Sequence, residues 1–354
     1  MEILYTVNPG IEDIAAEEIK AELGGSIEYS SMSGHVLQVI NNGNVRYEAF
    51  LRLRSVNRAF MLIYKGVIGR DLDALISFRK KLYEVLVEKG IETFISPTTT
   101  FAVETERVGT HEYTSIDVSR VVGDVVIEAI VNKRGYRPRV DLRKPHVIVH
   151  VFVKENKVYV GVSLTGPISM HRRGYRIYDH PAALKPTLAY AMLTLSGTRD
   201  KNIVVDPMCG GGTIAIEARL LHEDIEVYCM DINARYIEMA RANAYAAGVY
   251  PLINFLVWDA RRIDEAKIPF IDHIVSNPPY GIRYGDPYAV RRLYEIFLEK
   301  AYSKLNTGGR ITIITTEYNY VRKKANAIGY EKIHERVVQH GGLYPHIIVL
   351  EKTK

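Results

Sequence analysis

The chain has 354 residues, 47% hydrophobic and 25% charged, with a formal net charge of +5. That length suggests two or three domains, and no apolar run is long or clean enough to span a membrane or to act as a secretory leader, so a cytoplasmic protein is expected. The two cysteines, Cys209 and Cys229, fit no metal-ligand spacing, so reduced thiols and no metal are expected, while the mild basic excess suits nucleic acid without requiring it.

Residues Ile3–Val7 read as a strand, and Asn8-Pro9-Gly10 as a turn into a helix. Ile11, Ala15, Ile19 and Leu23 recur on one helical face, and Gly24-Gly25 ends the helix. Strand-like stretches at His35–Ile40 and Arg58–Tyr64 flank a helical segment around Val45–Leu53. A small α+β unit is expected over residues 1–66. The next unit, over residues 67–165, starts with helical spacing in Leu72–Lys89 and a strand at Thr100–Thr105. Thr114–Asn132 reads as a helix capped by Thr114 or Ser115, with Asp117 in its first turn and Ile116, Val121, Val125 and Ile130 on its apolar face. His146–Val153 and Lys157–Leu164 form a hairpin about Glu155-Asn156.

Between that helix and the hairpin lies the densest basic stretch, Lys133–Lys144, with Arg134, Arg137, Arg139, Arg143 and Lys144 around Tyr136. Such a run suits phosphate contacts; a solvated basic loop has equal weight on charge alone. A linker over residues 166–179 carries a second cluster with Arg172, Arg173 and Arg176. Pro181–Leu195 reads as a helix, with Pro186 tolerable only near its first turn.

From residue 202 onward the order is mostly alternating. Strands at Ile203–Asp206, Val227–Asp231, Asn254–Asp259, His273–Asn277 and Arg310–Thr316 are interleaved with helices at Thr213–Leu221, Ala234–Ala247, Tyr288–Lys304 and Tyr320–Ala327. Lys332–Glu351 reads as a terminal hairpin about Gly341-Gly342. Repeated β-α order means a parallel sheet with helices on both faces, an α/β domain over residues 180–354.

Its first strand runs into Asp206-Pro207-Met208-Cys209-Gly210-Gly211-Gly212-Thr213. Three glycines let a backbone approach a ligand, and the loop has no lysine of the nucleoside-triphosphate type. Asp231 ends the second strand, where an acid can take both ribose hydroxyls, and Asp259 ends the third, placed to accept from an adenine amine. For each acid alone a helix cap is the commoner role. Together, around a glycine loop, they describe a nucleoside pocket for a cationic head group, S-adenosylmethionine rather than a dinucleotide. The run His273–Ser276 then stops at Asn277-Pro278-Pro279-Tyr280. Two prolines stiffen the strand end, Asn277 offers an amide acceptor and Tyr280 a stacking ring. A rigid turn with an Asn cap is the plainer alternative.

These residues resemble the THUMP-containing, Rossmann-type guanine-N2 RNA methyltransferases over almost the whole chain. The methyltransferase motifs are Asp206–Thr213, Asp231, Asp259-Ala260 and Asn277–Tyr280. The THUMP resemblance rests on Tyr113-Thr114-Ser115, Val140-Asp141-Leu142 and Tyr159–Leu164. The resemblance implies a ferredoxin-like domain before the THUMP module, a terminal antiparallel hairpin on the Rossmann-type sheet, and a monomer that binds the tRNA acceptor stem and 3′ end. It implies that His180, Pro181, Ala182, Ala183 and Leu184 line the methionine side of the cofactor, that Met208, Cys209, Gly210 and Gly211 wrap it, and that Ile232 and Ala260 flank its acids. Asn277 in place of an aspartate favours the group acting on guanosine 6 of tRNA, though ribosomal-RNA enzymes share the tetrapeptide.

The chemistry expected is methyl transfer to a flipped-out guanine, with Asn277 Oδ1 and the Pro278 carbonyl accepting from the amine and Tyr280 stacking on the base. The alternatives are guanine-N2 methylation at another tRNA position or in ribosomal RNA, adenine-N6 or glutamine-N5 methylation, and RNA binding without catalysis.

Overall fold

The computed structural model describes residues 1–41, 46–178, 183–280 and 287–353. By contacts these divide into one unit of Met1–Thr6, Ala16–Ser30 and His35–Met170, and a second of Val7–Ala15, Ser31–Gly34 and His171–Lys354.

The first unit carries β1 (Glu2–Val7) up to Thr6, α1 (Glu12–Leu23) from Ala16 on, β2 (Ser26–Tyr29), β3 (His35–Val39), α2 (Tyr47–Arg52), β4 (Val56–Val67), α3 (Asp73–Lys89), β5 (Thr100–Val108), α4 (Ser115–Arg134), β6 (Arg139–Val140), β7 (Val147–Lys154) and β8 (Lys157–Ser163). Its strands form a single eight-stranded sheet in the order β2-β3-β1-β4-β8-β7-β5-β6. The division expected after residue 66 falls inside β4, which pairs with β8 from Phe60 through Val67. Twelve residues of β4 thus carry the sheet across that point, where the sequence shows only a glycine. Thr114 caps α4 as expected: its Oγ1 accepts from Asp117 N at 3.2 Å, and Asp117 Oδ2 accepts from Thr114 N at 2.8 Å. Gly135 closes the helix at φ 73°. The buried face is Val118, Val122, Val125, Val126, Ala129 and Ile130, whereas Ile116 is exposed. Ile116 sits two residues before Val118 and so lies off the stripe.

The second unit holds α5 (Pro186–Ser196), β9 (Ile203–Asp206), α6 (Thr213–Leu221), β10 (Glu226–Asp231), α7 (Ala234–Ala246), β11 (Ile253–Val257), β12 (Ile271–Ser276), α8 (Pro287–Lys304), β13 (Leu305–Thr315), α9 (Tyr318–Ile328), β14 (Tyr330–Val337) and β15 (His346–Lys352). The expected helix at Pro181–Leu195 begins instead at Pro186, where a missing N–H costs nothing. The sheet order is β11-β10-β9-β12-β13-β15-β14. β9 through β13 pair in parallel and β15 is antiparallel to both neighbours. Strand order reverses between β9 and β12, so a crevice opens at their carboxyl ends. The early segment Val7–Ala15 belongs to this unit. Arg336 clasps Asp13 with two hydrogen bonds of 2.6 and 2.9 Å, and Thr187 Oγ1 donates to Asn8 Oδ1 at 2.8 Å.

Candidate functional site

The three acids end up on neighbouring strands because β9, β10 and β11 run in parallel register. Asp206 lies beside Cys229, and Asp231 beside Val257. Asp206 is the last residue of β9 and is buried. It accepts from Ser276 Oγ at 2.7 Å and from Met208 N at 3.3 Å. Burial pushes its carboxyl up to about 7; those two donors pull the other way, and nearby Asp231 adds to the rise. Asp231 Oδ2 accepts from Gly210 N at 3.0 Å and its Oδ1 from Asn233 N at 2.9 Å.

The glycine loop is a tight turn, with Cys209 N donating to Met230 O and Gly212 N to Cys209 O, both at 2.8 Å. Gly212 has φ 79°, and a Cβ there would stand 2.9 Å from Ala240 Cβ on α7. Glycine is therefore required both by the backbone and by helix packing. Cys209 is buried behind the turn, and burial raises its thiol pKa well above the ordinary value. A residue that pattern reading missed braces the loop. Asn243 Nδ2 donates to the carbonyls of Gly211 and Tyr178, both at 3.0 Å, and its Oδ1 accepts from Tyr178 N at 3.0 Å. Asparagine inside a helix gives no signal of this, because both partners are distant in sequence.

β11 ends at Val257, so Asp259 stands two residues past the expected strand end, where it caps the short turn Ala260–Glu265 and its carboxylate is engaged. It accepts from Arg261 N at 2.9 Å and forms a fork with the Arg261 guanidinium, at 2.6 Å on one arm. Those bonds hold its pKa below the ordinary value. An adenine amine would share this carboxylate with Arg261 rather than find it open. Ala260 is buried behind it, while Ile232 is exposed beside Asp231. Leu184 is buried and Ala183 half-buried. His180, Pro181 and Ala182 lie outside the described residues.

Ser276 closes β12, so the Ser276–Asp206 bond joins the two strands at the reversal point. Asn277 follows directly and is half-buried; Pro278 is buried. Tyr280 packs its ring against the core under the sheet, and its hydroxyl donates to Asn277 Oδ1 at 2.8 Å. The ring expected as an open stacking face is thus partly committed to packing. Tyr294 on α8, also not foreseen, places its hydroxyl 2.9 Å from Thr315 Oγ1 and 3.4 Å from the Pro279 carbonyl. It ties the turn to β13.

Of the basic residues, Arg134, Arg137, Arg139, Arg143, Lys144 and Arg172 are exposed. Arg134 reaches Glu92 at 3.5 Å, and Arg139 reaches the Pro97 and Thr98 carbonyls at 3.4 Å. Among the described residues the side chains of Arg137, Arg143 and Lys144 form no ion pair, while the backbone N–H groups of Arg143 and Lys144 donate to Asp141 Oδ1 at 2.8 and 3.0 Å. Arg176 is half-buried. Arg173 corrects the expectation. Its side chain is 15% exposed and pairs at 3.1 Å with Glu217, which is 1% exposed, and Tyr175 OH donates to the same carboxylate at 2.7 Å. A cation already satisfying a buried carboxylate has little left for a phosphate.

The donor set suits a nucleoside bearing a cation: carboxylates at two adjacent strand ends, with no lysine or arginine in the glycine turn between them. Residues 173–346 match the family described as RMKL-like, methyltransferase domain, and residues 79–163 match the THUMP domain. A tRNA (guanine(6)-N2)-methyltransferase of Methanocaldococcus jannaschii is 30% identical over 99% of this chain and 100% of its own length. One from Thermus thermophilus is 34% identical over 98% of both. The crystal structure of TrmN from Thermus thermophilus superposes with a TM-score of 0.84 at 32% identity, covering 99% of each chain.

Proposed function

We propose, because the chain belongs to the THUMP-containing, RMKL-like methyltransferase family of these relatives, that it methylates the exocyclic N2 amine of guanosine 6 in the tRNA acceptor stem, using S-adenosylmethionine. The observation that carries the reading is the Ser276–Asp206 hydrogen bond of 2.7 Å. It fixes an acid for a cationic cofactor one residue from Asn277, the acceptor for an amine.

The bound cofactor supplies an activated methyl group on its sulfonium. Asp231 would hold the ribose hydroxyls, with Ile232, Asp259 and Ala260 on the adenine side, while Asp206, Met208–Gly211 and His180–Leu184 would surround the methionine end. A guanine amine is a weak nucleophile because its lone pair is delocalised into the ring. Asn277 Oδ1 has two lone pairs. One takes the Tyr280 hydroxyl; the other accepts from the amine, together with the Pro278 carbonyl, and draws the nitrogen lone pair out of conjugation. Holding that nitrogen in line is the main catalytic task. The target base leaves its stack, at a cost of a few kcal/mol, which contacts from the exposed strip Arg134–Lys144 and from Arg172 would offset. The acceptor stem and 3′ end are the part of the tRNA bound, by a single copy of the chain.

The test is methylation of a tRNA transcript with labelled cofactor, followed by mapping of the modified nucleoside. N2-methylguanosine at position 6, lost when that guanosine is replaced by adenosine, is the expected result. Label persisting in the replaced transcript overturns the reading.

A further inference from the structure

Three side chains of the first unit converge on one sheet face. Along β7, Val149, Val151 and Val153 belong to the core shared with α3 and α4, so His150 and Phe152 project from the other face. Parallel pairing sets Glu104 beside His150 and Glu106 beside Phe152, which puts both glutamates on that face. His35, the first residue of β3, stacks on Phe152 with centroids 3.8 Å apart, and His150 stacks on Phe60 at 4.3 Å. Gly161 of the intervening β8 leaves room for the second stack, since a Cβ there would stand 3.1 Å from Phe60 Cβ. Both imidazoles are thereby held in place by aromatic rings.

One ring nitrogen from each histidine and one Glu106 oxygen lie within 4.8 Å of one another, with His35 Nε2 3.7 Å from Glu106. His150 is 7% exposed, yet neither of its ring nitrogens has a hydrogen-bond partner. Buried polar atoms left in this state are uncommon and unfavourable. Glu104 is engaged by Arg58, whereas Glu106 meets no lysine or arginine among the described residues, so its negative charge faces the histidines.

We infer that His35, Glu106 and His150 form a binding site for a divalent transition metal of borderline softness, zinc above all. Two imidazole nitrogens and one carboxylate, with water in the fourth position, are a zinc ligand set. Ligand atoms about 2.0–2.2 Å from zinc stand about 3.3–3.5 Å apart, so pairs now within 4.8 Å of each other close by no more than about 1.5 Å. Glu106 is long and 50% exposed in its side chain and can supply the movement of the carboxylate, with small rotations of the imidazoles in their stacks supplying the rest. In the sheet order β1, β4 and β8 separate β3 from β7. The ion would tie strands that no backbone hydrogen bonds join, and would brace the first unit. The expectation of no metal rested on Cys209 and Cys229 and did not reach these residues.

The full chain, stripped with a chelator and dialysed, is titrated with zinc chloride against a chromophoric competitor, with thermal unfolding followed alongside. One zinc per chain and a raised melting temperature are expected. Cobalt(II) at the site should show the intense visible bands of four-coordination. Glu106→Ala, on the exposed side, should weaken zinc by at least about 10-fold, the lower end of what losing even an outer partner of a ligand costs. His150→Phe keeps the aromatic stack and should abolish the site; if it fails to fold, Glu106→Ala decides alone. Absence of zinc binding, or equal zinc affinity in Glu106→Ala and the parent, overturns the inference.

Discussion

The Tyr280 hydroxyl donates to Asn277 Oδ1 at 2.8 Å. An amide oxygen read as the acceptor for a substrate amine already holds one donor. Burial, with Tyr294 close by, raises the Tyr280 pKa above the ordinary phenol value, so the phenol stays a donor at any working pH.

Asn277→Ala should leave cofactor and tRNA affinity nearly unchanged while kcat falls by about 10²–10³, because the lost acceptor matters most as the amine becomes positive. Tyr280→Phe keeps the ring but frees the amide. It should lower kcat by about 2- to 10-fold, the worth of one neutral hydrogen bond. Single-turnover methylation, with binding measured separately, checks both. A full-speed Tyr280→Phe enzyme would reduce the tyrosine to its ring.

If Asp206 faces the cationic end of the cofactor, as proposed, cofactor binding should depend on pH. Its folded value of about 7 stands above the ordinary 3.8. Between about pH 4 and pH 7 the folded chain carries the extra proton, so this group's contribution to stability declines as pH rises through that window and is level above it. Asp206→Asn should therefore melt higher than the parent at about pH 8 while binding S-adenosylmethionine more weakly. In the parent, a sulfonium favours the ionised carboxyl, so S-adenosylmethionine affinity should rise from about pH 6 to about pH 8. S-adenosylhomocysteine, which lacks that charge, should change less. Calorimetry giving parallel profiles for the two would remove Asp206 from the cationic end.

What the sequence made legible was local. The span of α6, Thr213–Leu221, and the cap at Thr114 depend on neighbours a few residues away, and both are in the structure as read. Family motifs carried the strand-end acids and Asn277 to one edge of the sheet. What escaped depends on distant partners. Arg173 looked like one more cation of a basic run because Glu217, on α6, is far along the chain. Asn243 and Tyr294 had no motif, and β4 ran through an expected boundary because its second partner, β8, comes far later. The segment Val7–Ala15 counts with the second unit, so residues 174–354 alone would lack part of their own packing.

In the proposed reading Asp231 would have two tasks, holding the ribose and bracing the loop, and its variants should separate them. Asp231→Ala removes the ribose acceptor and also strands the Gly210 and Asn233 N–H groups that the carboxylate accepts from. S-adenosylmethionine binding should disappear, with about 1–3 kcal/mol of stability lost as well. Asp231→Asn keeps one acceptor oxygen and should weaken binding by about 10- to 100-fold, the range for a hydrogen bond that loses its charge. Calorimetry paired with thermal unfolding distinguishes the two, and unchanged affinity in Asp231→Ala would place the ribose elsewhere.

Arginines of similar appearance should divide into two classes. Arg137, Arg143 and Lys144 are exposed and, among the described residues, their side chains form no ion pair, with Asp141 held by the backbone N–H groups of Arg143 and Lys144, so each side chain is available to a phosphate. Replacing any one by alanine should weaken tRNA binding and reduce the slope of log affinity against log salt by about 1, leaving the melting temperature unchanged. Arg173 belongs to the other class. Arg173→Ala leaves Glu217 charged, buried and with Tyr175 as a remaining donor. Breaking a buried pair in this way costs about 3–5 kcal/mol, so the melting temperature should fall sharply while the salt slope stays at the parent value. Thermal unfolding and salt titrations of tRNA binding on the same preparations decide between them. A parent-like melting temperature with a flattened salt slope in Arg173→Ala would return Arg173 to the RNA-binding surface.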